Sequence, residues 1–148
     1  MAAEVTIARE SGAAPLNAQG RAQRGSTAKV NKALEKLTSK YRAAEGDELE
    51  RMYRTYGDME SAEYKKGGEL EVYFVSKAYG DGGRTRGEIP ILSDAEYKDA
   101  APRERYNPFR REYSYSQTTN EYAANSLARF VNKNGGKVKR ITYIEDRD

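Results

Sequence analysis

The chemistry open to this chain is that of tyrosine, lysine, arginine and carboxylates, because its 148 residues include neither Cys nor His. That removes disulfides, thiolate nucleophiles, thiolate metal sites, thioether attachment of a tetrapyrrole, the usual general base and the commonest transition-metal ligand. Oxygen-ligated Mg²⁺ or Ca²⁺ stays chemically open, yet the acids are scattered among Lys and Arg without EF-hand spacing or a phosphate-binding glycine loop. Gly80-Asp81-Gly82-Gly83 is followed by no helical pattern and reads as a hairpin connection. The residues therefore argue against catalysis and leave contact chemistry as the expected work.

For contact, the chain is well supplied. It has twelve Tyr, three Phe and no Trp, and Tyr offers large contact area at low rotamer cost while keeping one polar end. So many tyrosines exceed what a small core can bury. They concentrate with arginine at Phe109-Arg110-Arg111-Glu112-Tyr113-Ser114-Tyr115-Ser116, while Tyr73 and the Lys137/Arg140 pair stand near other strands. The bland alternative is that the two arginines form a solvated strand edge that discourages sheet-to-sheet pairing.

The elements that must hold these residues can be read from periodicity. Residues 1–25 are rich in Ala, Gly, Arg and Gln, with hardly a large apolar side chain after Leu16, so an extended or disordered tail is expected. Over 26–67 a helical segment is expected. Ser26 or Thr27 would cap a helix with Val30, Leu34, Leu37 and Tyr41 on one face, and a second helix over about 47–56 would align Leu49, Met52, Tyr53 and Tyr56. Leu70-Glu71-Val72-Tyr73-Phe74-Val75 then reads as a strand.

Residues 81–108, with three of the four prolines, read as a long loop. A strand near 110–116 follows, then a helix near 118–134 carrying Ala123, Ala124, Leu127, Ala128 and Val131 at helical spacing. Asn134-Gly135-Gly136 stops that helix and a last strand spans 137–144. The expected class is α+β, with a three-stranded sheet, one packed helix and a core of Val72, Phe74, Leu127, Val131, Val138 and Ile141.

The stretch from 68 to 148 resembles the CpcD-like domain of phycobilisome linker polypeptides. The resemblance rests on the strand Leu70 to Val75, on Tyr106-Asn107-Pro108-Phe109-Arg110-Arg111 leading into a strand, and on the final helix, Asn134-Gly135-Gly136-Lys137-Val138 and apolar strand. It covers about half the chain. The loop is longer than the family's, Thr119-Asn120-Glu121-Tyr122 stands where Pro-Tyr commonly opens the helix, and residues 1–67 are too few for the large helical domain of rod linkers.

The family implies a non-enzymatic, colourless linker that sits in phycobiliprotein trimers or hexamers, orders their stacking and tunes energy transfer. It would touch other linkers and the bilins carried by those rings, without binding a cofactor covalently, and the resemblance implies that Arg110, Arg111, Tyr113, Tyr115, Lys137 and Arg140, with Tyr73 and Phe109 beside them, form the partner-binding surface that faces the ring. It would lie at the cytoplasmic or stromal face of a thylakoid membrane, in a cyanobacterium or a red-algal chloroplast.

Charge supplies the competing reading. Residues 1–42 hold eight Lys/Arg against Glu4, Glu10 and Glu35, whereas 43–67 hold four basic and seven acidic residues. A basic end and a pI near 9.0 suit a nucleic-acid-binding, ribosome-associated module of ferredoxin-like fold. Against it, 26 basic residues face 23 acidic ones for a net charge of only +3, and Glu145-Asp146 would repel phosphate. The apolar runs are too short for a membrane span, and Glu4 and Arg9-Glu10 interrupt any secretory-signal core.

Overall fold

A computed structural model describes residues 24–76 and 83–147. The expectation of an extended tail falls largely on residues outside this range. Helix α1, Arg24–Ala43, begins slightly earlier than Ser26 or Thr27 would suggest. Its stripe is used as the spacing implies: Val30 and Leu34 are fully buried and Leu37 and Tyr41 pack against the same core. Helix α2, Gly46–Tyr56, buries Met52, while Leu49 and Tyr53 of the expected stripe remain exposed.

Strand β1, Met59–Lys65, turns back through Gly67 and Gly68 into β2, Glu69–Ser76, which it pairs antiparallel. Strand β3 is Arg84–Ile89, and helix α3 is Asp94–Ala100, closed at its start by a Ser93/Glu96 capping box. A hairpin of β4, Glu104–Asn107, and β5, Glu112–Tyr115, precedes helix α4, Asn120–Lys133, and strand β6, Arg140–Arg147. The main sheet runs in the order β1-β2-β6-β3, with β2 and β6 parallel and the other neighbours antiparallel.

The α+β class holds, and all six expected core residues are buried. Leu70, Val72 and Phe74 of β2, with Ile141 of β6 and Tyr64 of β1, form a single cluster with Val30, Leu34 and the Ala123, Ala124, Leu127, Ala128 and Val131 stripe of α4. Thr119 caps α4 by accepting from the Tyr122 N–H at 3.1 Å. The stop at its far end has two distinct causes. Gly135 takes φ +102, which L side chains rarely adopt, and a Cβ on Gly136 would come within 2.5 Å of Val131 Cγ1.

Four expectations are corrected. The main sheet has four strands, not three, and residues 112–115 are absent from it: they pair with β4 in a separate two-stranded sheet. Second, residues 59–65 of the expected helical segment form an edge strand, whose alternation is broken by a bulge between Met59 and Ser61. Third, the expected loop over 81–108 contains β3, α3 and β4. β3 was hidden because only Ile89 of its six residues is buried, so an apolar pattern is lacking. β6 starts at Arg140 rather than 137, since Lys139 N donates to Gly68 O at 2.7 Å and ties the turn down first.

The face of the sheet away from the core is a ladder of opposite charges. Lys65 and Arg86 approach Glu71, Arg140 approaches Glu69, and Arg84 holds Asp146.

Candidate functional site

The β4–β5 hairpin projects the largest set of exposed aromatic side chains among the described residues. Its tip is Pro108-Phe109-Arg110-Arg111, held by Asn107: the side-chain Oδ1 accepts from Phe109 N at 2.9 Å and Arg110 N at 3.2 Å, and the Asn107 carbonyl accepts from Arg111 N at 2.8 Å. Asn suits this position because its short amide bonds to backbone two and three residues ahead. Arg111 closes the turn at φ +55, a left-handed conformation that costs a non-glycine residue about 1 kcal/mol.

At the base, Arg103 N donates to Ser116 Oγ at 2.8 Å and Ser116 N donates to Arg103 O at 2.9 Å. The Arg103 guanidinium also binds the Asp99 carboxylate at 2.9 Å. Arg54 of α2 lies 3.9 Å from the Tyr115 ring centroid, so a cation–π contact fastens the arm to the body. The arm is therefore ordered from base to tip by its own bonds.

Successive strand residues point to opposite faces. Tyr106 stands opposite Tyr113 and Glu104 opposite Tyr115, which gathers three tyrosines on one face. Tyr106 and Tyr113 meet at 5.0 Å between ring centroids, tilted by 56°. They remain 52% and 65% exposed, and Phe109 at the tip is 97% exposed. Arg110 sits 3.8 Å from Glu112, an exposed pair of little strength.

Of the eight residues singled out from sequence, Phe109, Arg110, Arg111, Tyr113 and Tyr115 thus come together on one arm. Tyr73 and Arg140 lie on the charge-bearing face of the main sheet, and Lys137 in the turn before β6. Tyr73 donates to the Asp146 carboxylate, which Arg84 also holds at 3.1 Å. The Arg84 and Tyr73 bonds hold the Asp146 carboxyl below its usual range, and the bond to Asp146 raises the Tyr73 hydroxyl. The Lys137 backbone N–H donates to the Tyr64 hydroxyl at 3.0 Å. Tyr73 and Arg140 thus have acidic partners within the sheet, and Lys137 is engaged through its backbone. Sequence reading missed Tyr106 and Arg54; the alternation of 104–107 with 112–115 across Asn107-Pro108 could have found the first, whereas Arg54 is brought to Tyr115 only by tertiary packing.

Elsewhere, a cavity of about 390 Å³ lies between α1 and the start of β1, lined in part by Tyr41, Arg42, Asp58 and Glu60. Burial, with Asp58 and Tyr53 nearby, pushes the Tyr41 hydroxyl up to about 12, and it donates to the Gly57 carbonyl. Burial and the Glu145 charge raise the Asp58 carboxyl. Among the described residues no cluster of acids could hold a metal ion, and no helix is long and apolar enough to cross a membrane. The chain matches no protein-family model, no curated protein and no solved structure.

Proposed function

We propose that this chain is a non-enzymatic connector that docks through the β4–β5 arm onto an acidic protein assembly, with phycobiliprotein trimers or hexamers as the partner that the sequence resemblance implies. The observation that carries this reading is Phe109, an almost fully exposed phenyl ring on a tip that is already ordered. A preorganised aromatic anchor loses little entropy on insertion into a pocket, and such anchors dominate interface energetics. Arg110 and Arg111 follow it in the same turn, and their positive charge would orient the arm toward an acidic surface and speed encounter. The Tyr106/Tyr113/Tyr115 face then supplies contact area along the inserted length.

The test is direct. Adding the colourless protein to purified phycobiliprotein trimers should yield larger assemblies and shift bilin absorption or emission. Phe109→Ala should weaken that association by roughly 30-fold, the loss typical of an interface anchor, and Arg110→Glu with Arg111→Glu should weaken it further in low salt. Salt-sensitive binding to RNA with no effect on the phycobiliprotein spectrum would overturn the reading in favour of a nucleic-acid-binding module.

A further inference from the structure

The two edges of the main sheet are finished differently. On the β1 side, Asn31 of α1 caps the edge at Tyr64: its Nδ2 donates to the Tyr64 carbonyl and its Oδ1 accepts from the Tyr64 N–H, both at 2.8 Å. The side-chain amide thereby takes the place that a neighbouring strand would occupy. On the other side, the register of β3 runs entirely to β6, and among the described residues no further strand follows it in the sheet. An edge of this kind presents unpaired N–H and C=O groups to any strand that fits.

Folded proteins usually blunt such an edge with charge, and like charges would do so in every register. The charges on β3 are of both signs. Arg84, Arg86 and Glu88 alternate along one face of the strand, in register with Asp146, Ile144 and Thr142 of β6. Arg86 is 72% exposed and stands 3.9 Å from Glu71, and Glu88 has no cation within 4 Å among the described residues.

We infer that β3 is a self-complementary edge, onto which a second copy of this chain adds its own β3 antiparallel about Gly87, fusing two four-stranded sheets into one. In that register Arg86 faces the partner's Glu88 and Glu88 faces the partner's Arg86. Thr85 meets the partner's Ile89, and Gly87 meets the partner's Gly87 with no side chain between the backbones. Moving the centre to Arg86 keeps two unlike pairs, Arg84 with the partner's Glu88 and Glu88 with the partner's Arg84, but sets Arg86 directly against the partner's Arg86; a parallel in-register pairing sets like charge on like charge at all three positions, so the Gly87-centred register has unlike pairs and no like one. Directly opposed unlike charges favour a strand pair and like charges disfavour it, so the sequence of β3 selects one arrangement. The arm takes no part in this contact, and a dimer would carry two arms.

The six-residue edge makes a small interface, so the dimer should form in a concentration-dependent way. Sedimentation equilibrium of the full chain should show growth from the monomer mass of 16.6 kDa toward twice that value. Arg86→Glu alone and Glu88→Arg alone each convert two attractive pairs into two repulsive ones and should weaken the dimer about tenfold or more. Mixed in equal amounts, the two variants regain both pairs as a heterodimer and should recover wild-type affinity. Both substitutions are at exposed positions, and unchanged circular dichroism would show that each variant is folded. A monomer mass at every concentration up to about 1 mM, a dimer indifferent to both substitutions, or a mixture no tighter than the single variants would each overturn the inference.

Discussion

The main sheet and the β4–β5 arm are built from the same side chains and use them in opposite ways. In the sheet, Tyr64 is 1% exposed with its hydroxyl bonded to Lys137, Tyr73 is tied to Asp146, Arg84 and Arg140 each lie near an acid of a neighbouring strand, and Arg86 reaches across β6 toward Glu71 of β2. In the arm, Tyr106, Tyr113 and Phe109 face outward on a backbone that the Asn107 bonds hold in place. What separates the two is the layer behind them. α1 and α4 cover one face of the sheet, while the arm has only two short strands and Arg54 to lean on. A two-stranded ribbon cannot bury its aromatic side chains against itself, so its stability comes from turn chemistry and from its base.

The contrast breaks most sharply at the core. Leu127→Ala, at a residue with no exposed surface, should lower unfolding free energy by roughly 2–4 kcal/mol, whereas Phe109→Ala should leave it within about 0.5 kcal/mol. Urea denaturation of the two variants checks both halves of the statement. If Phe109→Ala were as costly as Leu127→Ala, the arm would be part of the core after all. A smaller loss, about 1–3 kcal/mol, is expected for Asn31→Ala, because it removes the two hydrogen bonds that the Asn31 amide makes to the Tyr64 backbone. Faster amide exchange at Tyr64 should accompany it.

At the arm the sign reverses. Arg111→Gly removes the left-handed penalty and should stabilise the tip by up to about 1 kcal/mol, read as slower exchange of the Arg111 amide, while removing one of the charges offered to a partner. The smallest effect is in the pH dependence. Asp58 has a folded-state pKa above its unfolded value, so its contribution to stability is present in full at pH below the unfolded value and is lost as pH rises through the folded one. Asp58→Asn should therefore be slightly stabilising near neutral pH and should flatten the stability profile in the acid range. Asp146, with a lowered pKa, contributes in the other direction: its share is present above the unfolded value and disappears as pH falls through the folded one.

Much of the body was legible because its signals are local. Helix α4 announces itself through five small or apolar residues at helical spacing and ends where glycine is required, and β2 through an unbroken β-branched and aromatic run. Gly136 shows the strength of such a signal, since its lack of a side chain answers a contact with Val131 only five residues back. β1 and β3 were not legible for the complementary reason. Both are edge strands, one bulged and one carrying Arg84, Arg86 and Glu88, and neither offers the alternation that a half-buried strand needs.

The sequence by itself determined the α+β class, the core of Val72, Phe74, Leu127, Val131, Val138 and Ile141, and the concentration of Arg and Tyr between Phe109 and Tyr115. These follow from side-chain chemistry and short-range spacing. Only the tertiary structure decided that residues 112–115 leave the main sheet to pair with 104–107, that Tyr73, Lys137 and Arg140 belong to the main sheet and its turn while Phe109 is on the arm, and that Asn31 caps one sheet edge at Tyr64 while no strand among the described residues pairs with the other. Strand partnership depends on which backbones long-range packing brings side by side, and β2 finds β6 some seventy residues away. No local pattern carries that information.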